Sequence, residues 1–115
     1  MGLSMPRDYL HYIQDMLAAI GKIEKYVNDS DFETFCADEQ LIDAVIRNLE
    51  IIGEAAKNVP SEIREKYPDV EWKKVSGFRD VLAHSYFGVD LEIVWDIVKN
   101  KLPALAESLS VILKK

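Results

Sequence analysis

Apolar residues recur every three or four positions along most of the chain, which is the spacing of amphipathic helices. This pattern predicts long helices over residues 6–27, 37–58 and 70–84, and a last helix from residue 90 onward. Shorter helical turns are expected through residue 35 and over residues 61–67. No segment alternates as a strand would. The predicted fold class is therefore all-α, an up-and-down four-helix bundle with one or two extra short helices.

Polar residues and a proline predict where these helices begin and bend. Ser30 and Glu33 fit a capping box, and Ser61 and Asp90 stand where helix caps are expected. Pro103 should kink the last helix, because a proline cannot donate the usual backbone hydrogen bond within a helix.

The chain length predicts one domain over residues 1–115, with residues 1–5 as a candidate leader, because Met5-Pro6 could be a second start. With 49% hydrophobic residues the domain can build a small core. A bundle of this size hides more apolar surface by pairing, so a homodimer is expected.

Charge and cysteine content narrow the function classes. The net charge of −6 counts against a general nucleic-acid binder, but it allows an enzyme that gathers a few basic side chains locally. Cys36 is the only cysteine, so no internal disulfide can form and a cytoplasmic location is favoured. No apolar run approaches the length of a membrane span. No residues have the spacing of metal ligands, so neither a metal nor a cofactor is expected.

One short stretch, Arg-Asp-Val-Leu-Ala-His-Ser-Tyr, concentrates the candidate chemistry at Arg79, His84 and Tyr86. A guanidinium can hold a phosphate, and an imidazole can move protons near neutral pH. On an ideal helix Arg79 and His84 would differ by about 140° and lie ~7.5 Å apart along the axis, so they would not share a face.

Cleavage of RNA through the 2′-hydroxyl needs a base, an acid and a cation beside the phosphate. One histidine supplies one of the two proton-transfer roles, and two protomers that bring their motifs together would supply both. The spacing alone leaves an alternative open, in which Arg79 and Asp80 are a surface pair and His84 and Tyr86 only pack or cap a helix end.

The longer stretch over residues 75–95, VSGFRDVLAHSYFGVDLEIVW, resembles the signature of the HEPN superfamily and in particular of its HepT-like branch. That branch carries an arginine, four residues, a histidine, one residue and a tyrosine. The upstream block Ile-Gly-Glu-Ala-Ala at residues 52–56 resembles a second family block. The resemblance covers nearly the whole chain.

The resemblance implies a homodimer whose motifs meet in a cleft and act as a metal-independent endoribonuclease. It also implies a toxin whose antitoxin partner, a small nucleotidyltransferase, silences it by attaching AMP to the motif tyrosine. Carried over, Arg79 would bind phosphate, His84 would be the acid–base residue, Asp80 would orient the site, and Tyr86 would be a site residue and the modification target.

Other interpretations of the sequence remain open. Glu54 is either an exposed or capping carboxylate, or a functional residue that anchors Arg79 or lies in an interface. Lys73 and Lys74 either guide RNA or form a solvated face. The whole chain could instead be a non-catalytic partner or nucleotide-binding module beside a nucleotidyltransferase, or a purely structural four-helix dimer.

Overall fold

A computed structural model describes residues 9–78 and 90–114 of the chain, and these residues are helical with short connections. The helices are α1 (Tyr9–Val27), α2 (Phe32–Ala37), α3 (Glu39–Asn58), α4 (Ser61–Lys66), α5 (Trp72–Ser76), α6 (Leu91–Asp96) and α7 (Leu102–Leu113). A π-helical turn, Ile97–Lys101, joins α6 to α7. No strand occurs within these two ranges, and the predicted all-α class is confirmed.

The core lies where the apolar stripes of the long helices meet. α3 contacts α1 along its length and also touches α2 and α5, while α7 packs on α1. The stripes predicted from the sequence supply most of the fully buried side chains: Ile13, Met16, Ile20, Ile23, Val45, Leu49, Ile52, Ala56, Leu102, Leu109 and Ile112. Helical periodicity therefore identified the buried face of each long helix correctly.

Two predicted caps are wrong. The N-terminal cap of α2 is Asp31 rather than Ser30, because the Asp31 carboxylate accepts a hydrogen bond of 2.8 Å from the backbone N–H of Thr34. That hydrogen bond is the main reason why the pKa of Asp31 lies below its ordinary value. Helix α4 starts at Ser61 itself, after Pro60, and has no side-chain cap.

Two long predicted helices also have different limits in the structure. The helix expected from residue 37 begins at Glu39, because Asp38 ends α2 and caps α3 by accepting a hydrogen bond from the Leu41 N–H. The helix expected over residues 70–84 begins at Trp72 and reaches a cap at Gly77. Its expected continuation from residue 79 lies outside the described residues, as do residues 6–8 of the first predicted helix.

The predicted disturbance at Pro103 is present, but it takes the form of a wider turn ahead of the proline. Leu102 donates its backbone N–H to the carbonyl of Ile97, five residues earlier. Pro103 then occupies the first turn of α7, where a missing N–H costs nothing. The chain thus accommodates the proline with a π-helical turn that ends two residues before it.

Candidate functional site

The residues of the predicted motif, Arg79, Asp80, His84 and Tyr86, lie outside the described residues. The structure therefore describes the frame on either side of the motif and the surface next to it. Among the predicted site residues, Glu54 is the one that this frame contains.

On the N-terminal side, α5 holds the chain that leads into the motif. The indole N–H of Trp72 donates a hydrogen bond of 2.9 Å to the carbonyl of Tyr67, and Trp72, Val75 and Phe78 are buried. Burial of side chains of this size contributes about 1.5–3 kcal/mol each. Phe78 immediately precedes Arg79, so the chain enters the motif from a well-packed position.

On the C-terminal side, Asp90 begins α6. Its carboxylate accepts hydrogen bonds from the backbone N–H groups of Glu92 at 3.1 Å and Ile93 at 3.4 Å, as the sequence predicted. One turn later the Trp95 ring lies 5.0 Å from the ring of Phe35 in α2, and the Lys99 ammonium lies 4.8 Å from the centre of that indole. The chain leaving the motif is thus fixed to α2.

An open groove of about 590 Å³ lies beside the N-terminal side of the motif. It is bounded by three helices and the residue that caps α5: Gly53, Glu54 and Lys57 of α3, Arg64 of α4, Lys73 and Ser76 of α5, and Gly77. Gly53 is buried, and α5 packs on α3.

Glu54 has an exposed side chain on α3. It borders this groove and also a shallower one shared with Arg47, Glu50 and Ile51. Its role as an anchor for Arg79 stays a prediction, because Arg79 is outside the described residues.

The groove is rich in positive charge. Among the described residues, Lys57, Arg64 and Lys73 line it together with one carboxylate, that of Glu54. Within residues 9–78 and 90–114 the ion pairs shorter than 4 Å join His11 to Asp15 and Lys74 to Glu71. The three groove cations therefore have no carboxylate partner of this kind in the described part of the chain.

The adjacent lysines Lys73 and Lys74 differ in the structure, although the same two interpretations applied to both in the sequence. Lys74 Nζ lies 2.8 Å from a carboxylate oxygen of Glu71, and this hydrogen bond raises the pKa of Lys74 and lowers that of Glu71. Lys73 faces the groove instead. A role in binding an anion thus fits Lys73 better than Lys74.

Two polar atoms at the groove are buried without a hydrogen-bond partner among the residues that the structure describes: Nε of Arg64 and Oγ of Ser76. Leaving a buried donor unpaired costs about 1–3 kcal/mol, and the great majority of buried polar groups in folded proteins are paired. The sequence did not single out Arg64 or Ser76 as candidates. The signals of the groove in the sequence were the i,i+4 spacing of Gly53 and Lys57 and the i,i+3 spacing of Lys73 and Ser76.

The described residues contain neither a candidate metal site nor a candidate membrane span. Among residues 9–78 and 90–114 no three histidine, cysteine or acidic side chains cluster as metal ligands would. None of the helices described is both long and apolar enough to cross a membrane.

Comparison with known proteins gives one consistent family. The model of the ribonuclease HepT-like family matches residues 16–112. A Thermococcus cleftensis protein named "Probable ribonuclease HepT" is 42% identical over 101 residues, which are 88% of this chain and 92% of that protein. A Caldanaerobacter subterraneus protein named as a candidate RNase is 41% identical over 114 residues, or 98% of each chain.

A longer relative carries the same region within a larger protein. In Methanocaldococcus jannaschii, a protein named both as a gamma-glutamylcyclotransferase and as a candidate RNase is 43% identical over 111 residues. The match covers 96% of this chain and 50% of that protein, so this chain spans about half of its length. No solved structure is similar enough to count as a match. These findings confirm the resemblance seen in the sequence.

The cap at Asp90 should matter for the stability of the frame around the motif. We expect Asp90→Ala to lower the free energy of unfolding by about 1 kcal/mol, because two backbone N–H groups of α6 lose their acceptor. Asp90→Asn keeps a side-chain oxygen and should stay within a few tenths of the wild type. Urea unfolding followed by circular dichroism measures both. Equal losses in the two variants would show that the cap is not the cause.

Proposed function

The chain belongs to the HepT-like ribonuclease family, and on that premise we propose that it is a metal-independent endoribonuclease that cuts RNA with Arg79 and His84. The family match carries this proposal, because it spans residues 16–112 and so includes the whole motif. The ribonuclease class predicted from the sequence is confirmed at the level of the family. The residues that act and the way in which they act belong to the proposal.

The proposed reaction is attack of a ribose 2′-hydroxyl on the adjacent phosphorus. One His84 imidazole takes the 2′ proton while the other, protonated, gives a proton to the leaving 5′ oxygen. Arg79 stabilises the negative charge that builds up on the phosphorane, and Asp80 orients the site. Acid–base assistance of this kind contributes about 10²–10⁴ in rate, and charge stabilisation adds to it.

The need for two imidazoles supports a homodimer, because each chain has one histidine in the motif. The surface of α3 next to Glu54 also supports pairing, since it exposes Ile51, an apolar side chain that is 39% accessible. Within each protomer, α1, α3 and α7 would be three members of the expected four-helix bundle, and the helix predicted over residues 70–84 would be the fourth.

The proposal includes a toxin–antitoxin pair in the cytoplasm. The partner would be a small nucleotidyltransferase that transfers AMP to the Tyr86 hydroxyl, so that the phenol oxygen bonds to the α-phosphorus of ATP and pyrophosphate leaves. The attached group would add bulk and negative charge two residues from His84. The bulk would block the RNA backbone, and the charge would repel it, as phosphorylation repels neighbouring anions.

The two histidines of the chain provide a matched test of the cleavage. In excess EDTA we expect His84→Ala to lower the rate of RNA cleavage at least ~10²-fold, because an acid–base group is lost. His11→Ala should leave the rate within twofold, because His11 is exposed on α1 and paired with Asp15. Timed cleavage of a 5′-labelled RNA measures both rates.

Equal rates in the two variants would contradict the assignment of His84. A wild-type rate that disappears in EDTA and returns with Mg²⁺ would contradict the metal-independent mechanism.

Modification of Tyr86 can be tested by mass. We expect the protein coexpressed with a nucleotidyltransferase of its own genome to gain the mass of one or more AMP units on Tyr86 and to stop cutting RNA. Tyr86→Phe lacks the accepting hydroxyl and should stay unmodified under the same conditions. Intact-protein and peptide mass spectrometry check this outcome. An unmodified Tyr86 would contradict the proposed regulation while leaving the cleavage proposal in place.

A further inference from the structure

We infer that Lys57, Arg64, Lys73 and Ser76 form a subsite that binds a backbone phosphate of the RNA strand next to the point of cleavage. This inference rests on the proposed ribonuclease function and extends it to residues that the motif does not contain. The four side chains come from three helices and line one open groove.

The unpaired donors at the groove favour an anion as its occupant. Nε of Arg64 and Oγ of Ser76 are both buried and lack a partner among the described residues. A guanidinium N–H can only donate, and a hydroxyl can donate, so an anionic acceptor is the kind of partner that both residues lack. Phosphate is an acceptor for which arginine is especially well suited.

The charge around these donors supports the same occupant. Among the described residues, Lys57 and Lys73 add two ammonium groups to the guanidinium of Arg64, against the one carboxylate of Glu54. The chain as a whole carries a net charge of −6, so a local excess of cations is a departure from its average surface. Such a cluster can attract a polyanion to one place on a protein that otherwise repels it.

Position identifies the polyanion as the substrate strand. Gly77 lines the groove, and two peptide units can separate the Cα atoms of Gly77 and Arg79 by at most about 7 Å. A strand held at Arg79 for cleavage would therefore pass close to the groove. The groove is also open to solvent, as binding of an extended strand requires.

Neighbouring lysines allow a matched test. The probe is a 2′-O-methyl RNA oligonucleotide, which cannot be cut because the attacking hydroxyl is blocked. We expect Lys73→Gln to weaken its binding about 3- to 10-fold at low salt and to reduce the slope of log affinity against log salt by ~0.7, the value for one lost phosphate contact on a single strand. Lys74→Gln makes the same change of charge one residue away, on a side chain paired with Glu71, and should leave slope and affinity near wild type.

Fluorescence anisotropy at several KCl concentrations measures both variants, and Lys57→Gln repeats the test from α3. These lysines are exposed, so the variants should fold, and thermal unfolding checks this. If the wild type cuts RNA but Lys73→Gln and Lys74→Gln bind the probe equally, the subsite is overturned and the ribonuclease proposal stands. If the wild type neither binds the probe nor cuts RNA, both proposals are overturned.

Discussion

The packing of α3 on α1 is the constraint on which the rest of the structure depends. α3 contacts three other helices, and its buried stripe fixes the rotation of the helix about its own axis. Leu49, Ile52 and Ala56 are fully buried on that stripe, and truncating one large residue of this kind to alanine costs about 2–5 kcal/mol. A rotation that moved the stripe would therefore be strongly opposed.

The rotation of α3 decides which residues it presents to the groove. Gly53 and Lys57 are one helical turn apart and line the groove together, while the neighbouring positions Ile52 and Ala56 are buried. Lys73 and Ser76 line the same groove, because α5 packs on α3. The hydrophobic pattern of one helix thus determines where a cationic surface forms.

Helical periodicity predicted the all-α class and the buried faces of the helices well, because burial on one side of a helix leaves a direct record in the sequence. The caps were less predictable: Ser30 and Asp31 are adjacent and both can cap a helix, and only the geometry shows that Asp31 accepts the Thr34 N–H. The disturbance at Pro103 was predicted from the missing N–H, whereas its form, a π-helical turn over Ile97–Lys101, was not.

The candidate site likewise has one part that the sequence predicts and another that it does not. The motif from Arg79 to Tyr86 is contiguous in sequence and could be found by resemblance, and it stays a prediction in its geometry because it lies outside the described residues. The groove could not be found in this way. Arg64 and Ser76 are twelve residues apart, on different helices, and nothing in the sequence shows that Nε of Arg64 and Oγ of Ser76 are buried without a partner among the described residues.

The proposed mechanism requires His84 from two chains at one cleavage site. Wild-type and His84→Ala chains can be unfolded together, refolded at known ratios and assayed for RNA cleavage in EDTA at constant total protein. A site shared by two chains predicts a rate that falls with the square of the wild-type fraction, because only pairs of wild-type chains hold both imidazoles. A rate that falls in direct proportion to the wild-type fraction would contradict the shared site, since each chain would then cut RNA alone.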